Sequence, residues 1–168
     1  MFRVTNGSGP DIQIINAAET AVTQIFGNNG DITAEGAIYG TAKYFCIPHP
    51  LASKAENTDL VHISVESPQA DLIYRGQTAL HNGLSVVNID SVAGMTDGTF
   101  VALCENVQCF TTNETGWTLV RGAVNGNLLT IEAQDATCSD MISWMVVGTR
   151  KDVNVVVEPA KATEATHP

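Results

Sequence analysis

The sequence predicts a mainly β protein built from antiparallel strands. Three observations predict it. Apolar and polar residues alternate in short runs, Asn-Gly and Asp-Gly dipeptides fall between those runs, and no convincing amphipathic helix exceeds two turns. Val61, Ile63 and Val65, alternating with His62 and Ser64, show the period of two that turns one strand face to a core and the other to water.

Residues 1–40 form a first zone, rich in Gly, Asn, Thr and Ala. Phe2 and Val4 alternate, as do Ile12 and Ile14. Turn signals recur at Asn6-Gly7, from Gly27 through Asn28, Asn29 and Gly30 to Asp31, and at Glu35-Gly36 and Gly40. Strands this short bury too little surface to be stable alone. They need to stack against something else, and identical copies of the chain would serve. Ala17 to Phe26 allows a helical turn or two, but β-branched Val22, Thr23 and Ile25 favour an extended backbone.

Residues 41–157 form the second zone. After Val61 to Val65, strands are expected at Leu84 to Ile89, Phe100 to Cys104, Val107 to Thr111 and Trp117 to Val120. Leu128 to Ile131, Ile142 to Val147 and Val153 to Val157 complete the series. Asn82-Gly83, Asp97-Gly98, Thr115-Gly116 and Asn125-Gly126 separate them. Asn-Gly and Asp-Gly tolerate the positive φ of tight hairpins. Strands at this spacing predict a sandwich or a barrel. Residues 158–168, made largely of Pro, Ala, Thr and Glu, have nothing with which to build a core and are expected to fray.

Composition narrows the function. The 168 residues are 44% hydrophobic, which argues against a disordered chain. Eighteen acidic and eight basic residues give a net charge of −10, and Arg150-Lys151 is the only adjacent basic pair. A surface that tracks nucleic-acid phosphates is therefore not expected. No apolar run is long enough to span a bilayer, and the start lacks the apolar stretch of a signal peptide. The four cysteines, Cys46, Cys104, Cys109 and Cys138, include no Cys-x-x-Cys pair. Free, mostly buried thiols are favoured over a disulfide or a metal site, because cysteine without a redox role behaves as a small hydrophobe.

No nucleophile elbow, phosphate loop or dinucleotide fingerprint occurs, and no catalytic, metal or cofactor role is assigned. His49 lies between Pro48 and Pro50, so its backbone is held extended and a structural, hydrogen-bonded imidazole is expected. Glu66 and Arg75 flank the turn signal Ser67-Pro68, with Asp71 between them. A strand, turn and returning strand would bring the two into a structural salt bridge or a subunit contact. Trp144 shares a strand face with Ile142 and Val146 and is expected in the core. Trp117 follows the loop-like Asn113-Glu114-Thr115-Gly116 and is the better surface candidate.

Several segments resemble a domain found near the C-termini of bacteriophage tail fibres. The run Lys43-Tyr44-Phe45-Cys46-Ile47-Pro48-His49-Pro50-Leu51 looks like its opening. Asp59-Leu60-Val61-His62, Val65-Glu66-Ser67-Pro68 and Asp71-Leu72-Ile73-Tyr74-Arg75-Gly76 are similar to the steps that follow, with Ser67 and Gln69 where the family commonly has Gly and Glu. Ile142 to Val147, then Gly148 to Val153, resembles the family's closing strand and Arg-Lys-Asp turn. The Gly- and Asn-rich stretch from Phe26 to Gly36 is similar to fibre-shaft repeats.

The resemblance implies a short trimeric shaft-like segment over residues 1–40, an antiparallel β-sandwich-like head over 41–157 and a flexible tail over 158–168. It also implies a segment of a longer fibre, assembled in the host cytoplasm and carried on the virion. The expected function is host attachment by a non-enzymatic homotrimer whose partner is a cell-surface glycan or an outer-membrane component. Loops from Asn88 to Gly98 and from Asn106 to Trp117 are the expected receptor-binding elements, with Asp97, Asn113, Glu114 and Trp117 as candidates. The alternative is a trimer cap or a connector to other fibre or baseplate proteins. A depolymerase is a third reading, disfavoured because the chain is short for a long β-helix and Asp135 and Asp140 read as loop residues.

Overall fold

Every strand ladder among the described residues is antiparallel, as the alternating pattern and tight turn signals require. The structure, a computed structural model, describes residues 2–4, 12–26, 30–36, 38 and 40–152. The turn signal at Asn6-Gly7, the strand expected at Val153 to Val157 and the tail at 158–168 lie outside the described residues. The chain divides into two compact units, Met1–Val65 and Glu66–Pro168.

In the first unit, β1 (Phe2–Val4), β2 (Ile12–Ile15), β3 (Ala21–Ile25) and β4 (Ile32–Ala34) form a four-stranded meander. The stretch that allowed a helical turn is extended over β3, in keeping with its β-branched residues. Asn16 makes the reversal before it, its side-chain oxygen accepting from the N–H groups of Ala18 at 2.9 Å and Thr20 at 3.0 Å. β5 (Tyr44–Pro48) and β6 (Asp59–Ile63) form a separate two-stranded hairpin. The division between the units falls after Val65, and β5 and β6 pair with each other within the first unit.

The first unit's described apolar side chains are mostly exposed or half-buried. Among its described residues Ile15 is the one buried hydrophobic side chain. Ile14, Ile32, Tyr44, Phe45, Val61, Ile63 and Val65 are all exposed.

The second unit contains β7 (Asp71–Ala79), β8 (Leu84–Asn88), α1 (Ile89–Val92), α2 (Thr99–Leu103), β9 (Cys104–Asn113), β10 (Val120–Asn125), β11 (Leu128–Ala133) and β12 (Met141–Arg150). One three-stranded sheet runs β7-β12-β9 and another β10-β11-β8. Both supply one core. Val87, Leu129 and Ile131 come from the second sheet, Ile142, Trp144 and Val146 from β12, and Ile89 and Phe100 from the two helical turns. Asn82-Gly83 makes a two-residue reversal with φ of 52° and 73°, bridged by His81 and Leu84. Both angles are positive, which explains Asn followed by Gly. At the other reversal the loop is Gly126-Asn127, one residue later than the dipeptide suggested, since Asn125 pairs with Leu128.

Two strand expectations are corrected. Phe100 to Cys104 is not a strand: residues Thr99–Leu103 form α2, and β9 begins at Cys104. The β-prone residues Thr99, Phe100 and Val101 yield because a distant carboxylate, Asp90, accepts from the N–H groups of Gly98 and Phe100 at the start of this turn. Trp117 to Val120 is not a full strand either, since the ladder starts at Val120.

Trp144 is in the core as expected, but its indole N–H is buried without a hydrogen-bond partner. Leaving such a group unpaired costs about 1–3 kcal/mol. Burying about 200 Å² of aromatic surface stabilises by about 5 kcal/mol, so burial of the ring still wins. All four thiols are free: Cys104 and Cys138 are buried, Cys109 is half-buried and Cys46 is exposed.

Candidate functional site

The loop after β9 is held by one side chain. Asn113, half-buried at the strand end, accepts through its amide oxygen from the N–H groups of Gly116 at 2.9 Å and Thr115 at 3.2 Å. Its amide nitrogen donates to the Asp140 carboxylate at 2.7 Å and to the Thr118 carbonyl at 3.1 Å. Acceptor and donors are therefore both in use. Glu114 N–H donates to the Met141 carbonyl, and Met141 N–H donates to the Thr115 hydroxyl at 3.0 Å, which ties the loop to the start of β12. A Cβ at Gly116 would overlap the Asp140 carboxylate, so only glycine lets the loop pass this close.

From this clamped loop Trp117 projects entirely into solvent, with a relative exposure of 102%. Leu119 is also exposed, and half-buried Thr118 stands between them. Trp117 and Leu119 are thus the two exposed apolar residues of the short segment that leads from the loop into β10. An uncovered indole on a held loop is an unusual use of the largest apolar side chain.

Leu119 also lines a cleft of about 540 Å³. Leu84 and Leu119 supply apolar wall, Asn82 and Gln134 supply neutral polar groups, and Arg121 and Glu132 are its two charged residues. Arg121 Nη2 stands 2.6 Å from Glu132 Oε2, and Nε donates to the same oxygen at 2.8 Å. Register explains the pairing, because Arg121 and Glu132 are directly opposite on β10 and β11. Backbone bonds from Gln134 N–H to the Leu119 carbonyl and from Ala133 N–H to the Gly83 carbonyl fix the cleft walls.

The candidate residues do not all converge. Asn113, Glu114 and Trp117 share the loop at the Val120 end of the β10–β11 hairpin. Asp97 lies at the opposite end, where its carboxylate accepts from Asn127 at 2.6 Å and Asn88 at 3.3 Å. The two ends are about 17 Å apart along the strands. Within the candidate loop, Asn113 acts as scaffold, Glu114 is exposed and Trp117 is what the loop displays.

Beside Asp97 sits a carboxylate that sequence reasoning missed. Asp90 is 1% exposed. It accepts from the N–H of Phe100 at 2.7 Å, and from the N–H of Gly98 and the Asn127 amide at 2.8 Å each. Burial pushes its pKa up, but the Asn127 amide and the Phe100 and Gly98 backbone donors outweigh this and hold it below the ordinary aspartate value. Asp90 thereby joins α1, the start of α2 and the β10–β11 reversal. The local signal was an acid directly after apolar Ile89. Nothing local indicated its distant partner Asn127.

Glu66 and Arg75 form no ion pair. The ion pairs among the described residues are Arg121 with Glu132 and Arg150 with Asp152. A strand does follow the turn, β7, and it carries Arg75, but β6 pairs with β5 and β7 with β12, placing Met145 opposite Arg75. The turn is organised instead by Ser67, whose hydroxyl donates to Asp71 at 2.8 Å and accepts from Gln69 N–H at 3.2 Å. His49 is half-buried and its Nδ1 accepts from the Leu51 N–H at 3.1 Å, within the connection between β5 and β6.

Asp140, read from sequence as a loop acid, belongs to the network behind the Trp117 loop and also accepts from the Cys138 thiol at 3.2 Å. Asp135 accepts from the N–H and hydroxyl of Thr137, which hold its pKa below the ordinary value. Among the described residues no group of three or more His, Cys, Asp or Glu side chains could hold a metal ion, and no helix is long and apolar enough to cross a membrane. Comparison with known proteins finds no matching family model, no matching curated protein and no matching solved structure.

Proposed function

We propose that the chain is a distal segment of a bacteriophage tail fibre that attaches the virion to the host surface as a non-enzymatic homotrimer. Residues 1–40 serve as the shaft-like trimerising part, and residues 41–157 as a β-sandwich-like head. The receptor is a cell-surface glycan or an outer-membrane component. The observation that carries attachment is Trp117: a fully exposed indole on a loop clamped by Asn113 and Asp140. An aromatic side chain has few torsions to freeze on binding, a loop already ordered adds little further cost, and aromatics are enriched at recognition surfaces. Trimerisation is supported by the first unit's uncovered strands, and three copies on one axis raise effective concentration at a surface.

Adsorption tests this reading. Purified chain, added before virions, is expected to block their adsorption to host cells, and Trp117→Ala to lose the block. Undiminished adsorption at saturating chain overturns attachment and leaves the reading of a cap or connector that contacts other fibre or baseplate proteins. Light scattering is expected to give three times the monomer mass; a stable monomer at low concentration overturns the trimer.

A further inference from the structure

We propose that the cleft beside the Trp117 loop binds an uncharged oligosaccharide, with Trp117 as stacking platform and the Arg121–Glu132 pair as the wall that reads hydroxyls. This rests on the attachment reading and names its ligand class. Pockets of 300–1,000 Å³ suit small ligands, and about 540 Å³ accommodates a short run of sugar rings. A pyranose ring presents a C–H face of slight positive charge, which complements the negative face of an indole. Leu84 and Leu119 extend that apolar contact into the cleft.

The polar wall decides the charge class. Glu132 Oε2 takes both bonds from Arg121. Oε1 and the remaining guanidinium N–H groups are left with no hydrogen-bond partner among the described residues, and the two side chains stay 44% and 83% exposed. Free donors and a free acceptor thus stand side by side. A sugar hydroxyl is both donor and acceptor, so a pair of neighbouring hydroxyls matches this wall. The charges cancel within the pair. No other charged residue lines the cleft, and the chain as a whole carries −10. A uronic acid or phosphate would find no uncompensated cation there and would meet net repulsion.

The full chain is tested against immobilised neutral hexose and N-acetylhexosamine oligosaccharides, and against counterparts bearing uronic acid or phosphate. Neutral glycans are expected to bind, with affinity constant within about twofold from low to high salt. Ligand should protect Trp117 from acrylamide quenching, Trp144 being already shielded by burial. Trp117→Ala should weaken binding about thirtyfold, the loss of a typical aromatic anchor. Glu132→Gln, which uncovers the Arg121 charge, should shift preference toward uronic acids and make binding salt-dependent without moving the denaturation midpoint by more than a surface pair does.

Preference of the unaltered chain for acidic glycans, or unchanged binding by Trp117→Ala, overturns the proposal. So does cell staining with no glycan bound, which points to a protein receptor and leaves attachment intact. Neutral glycan binding without blocked adsorption keeps this ligand class and overturns attachment instead.

Discussion

The two units use similar strand chemistry to opposite ends. In the first, β5 and β6 carry Tyr44, Phe45, Val61 and Ile63, all exposed, and the four-stranded meander buries Ile15 alone among its described apolar residues. In the second, eleven side chains close into one cluster, and Leu129, Ile131, Ile142 and Val146 retain no exposure at all. A two-stranded hairpin is marginal in water, whereas sheets that share a buried cluster gain about 25 cal/mol for each Å² of apolar surface removed from water. The contrast teaches that alternation alone does not make a core. A strand's apolar face stabilises only when another surface arrives to cover it.

The largest expected effect breaks the comparison directly. Ile131→Ala should cost about 2–5 kcal/mol in chemical denaturation, because it removes buried volume and leaves a cavity. Ile63→Ala, at a side chain that is 66% exposed, should cost under about 0.5 kcal/mol in the monomer. If Ile63→Ala instead makes stability fall as the protein is diluted, the exposed face is an interface between copies. Equal costs for the two in the dilute monomer would remove the distinction between the units.

Next comes the buried clasp of the second unit. The Asp90 pKa is held below the ordinary value in the folded chain. Its contribution is therefore present above the unfolded carboxyl's pKa and is lost as pH falls through the lowered folded value. Acid titration of the denaturation midpoint should show this loss. Asp90→Asn should lower the midpoint at neutral pH and flatten the acid limb; an unchanged limb would take the clasp out of the account.

Asn113→Ala should cost about 1–3 kcal/mol, since it leaves the Thr115, Gly116 and Thr118 backbone groups without their partner. Hydrogen exchange should accelerate over residues 114–119 while the core strands keep their protection; unchanged exchange there would mean the clamp is not what orders the loop. The smallest effect belongs to Arg121→Ala. An exposed ion pair contributes about 0–1 kcal/mol to stability, so this variant separates the cleft's binding role from folding. A larger loss in denaturation would show the pair to be structural.

Much of the second unit was legible because its signals are local. Ile142, Trp144 and Val146 alternate on one strand, Leu128 to Ile131 lies between turn residues, and Asn82-Gly83 names its own reversal. The errors fall where a distant group decides. Thr99-Phe100-Val101 has β-prone side chains, yet Asp90, ten residues before Phe100, accepts the N–H groups that start a helical turn there. Glu66 and Arg75 looked like partners across a hairpin, but the strands on either side of that turn pair elsewhere. For the candidate site, the sequence picked out Trp117 from its loop-like neighbours but did not separate it from Asp97, which lies at the other end of the same hairpin.

By itself, then, the sequence determined a mainly β chain of antiparallel strands, the main turns and the better-placed aromatic. Those properties depend on side-chain alternation and on backbone angles within a few residues. Only the tertiary structure decided that Asn113 and Asp140, twenty-seven residues apart, clamp the Trp117 loop, that Arg121 faces Glu132 across a cleft, and that Asp90 closes on Asn127. Each of these contacts joins residues brought together by strand register and packing, which no local run of sequence encodes.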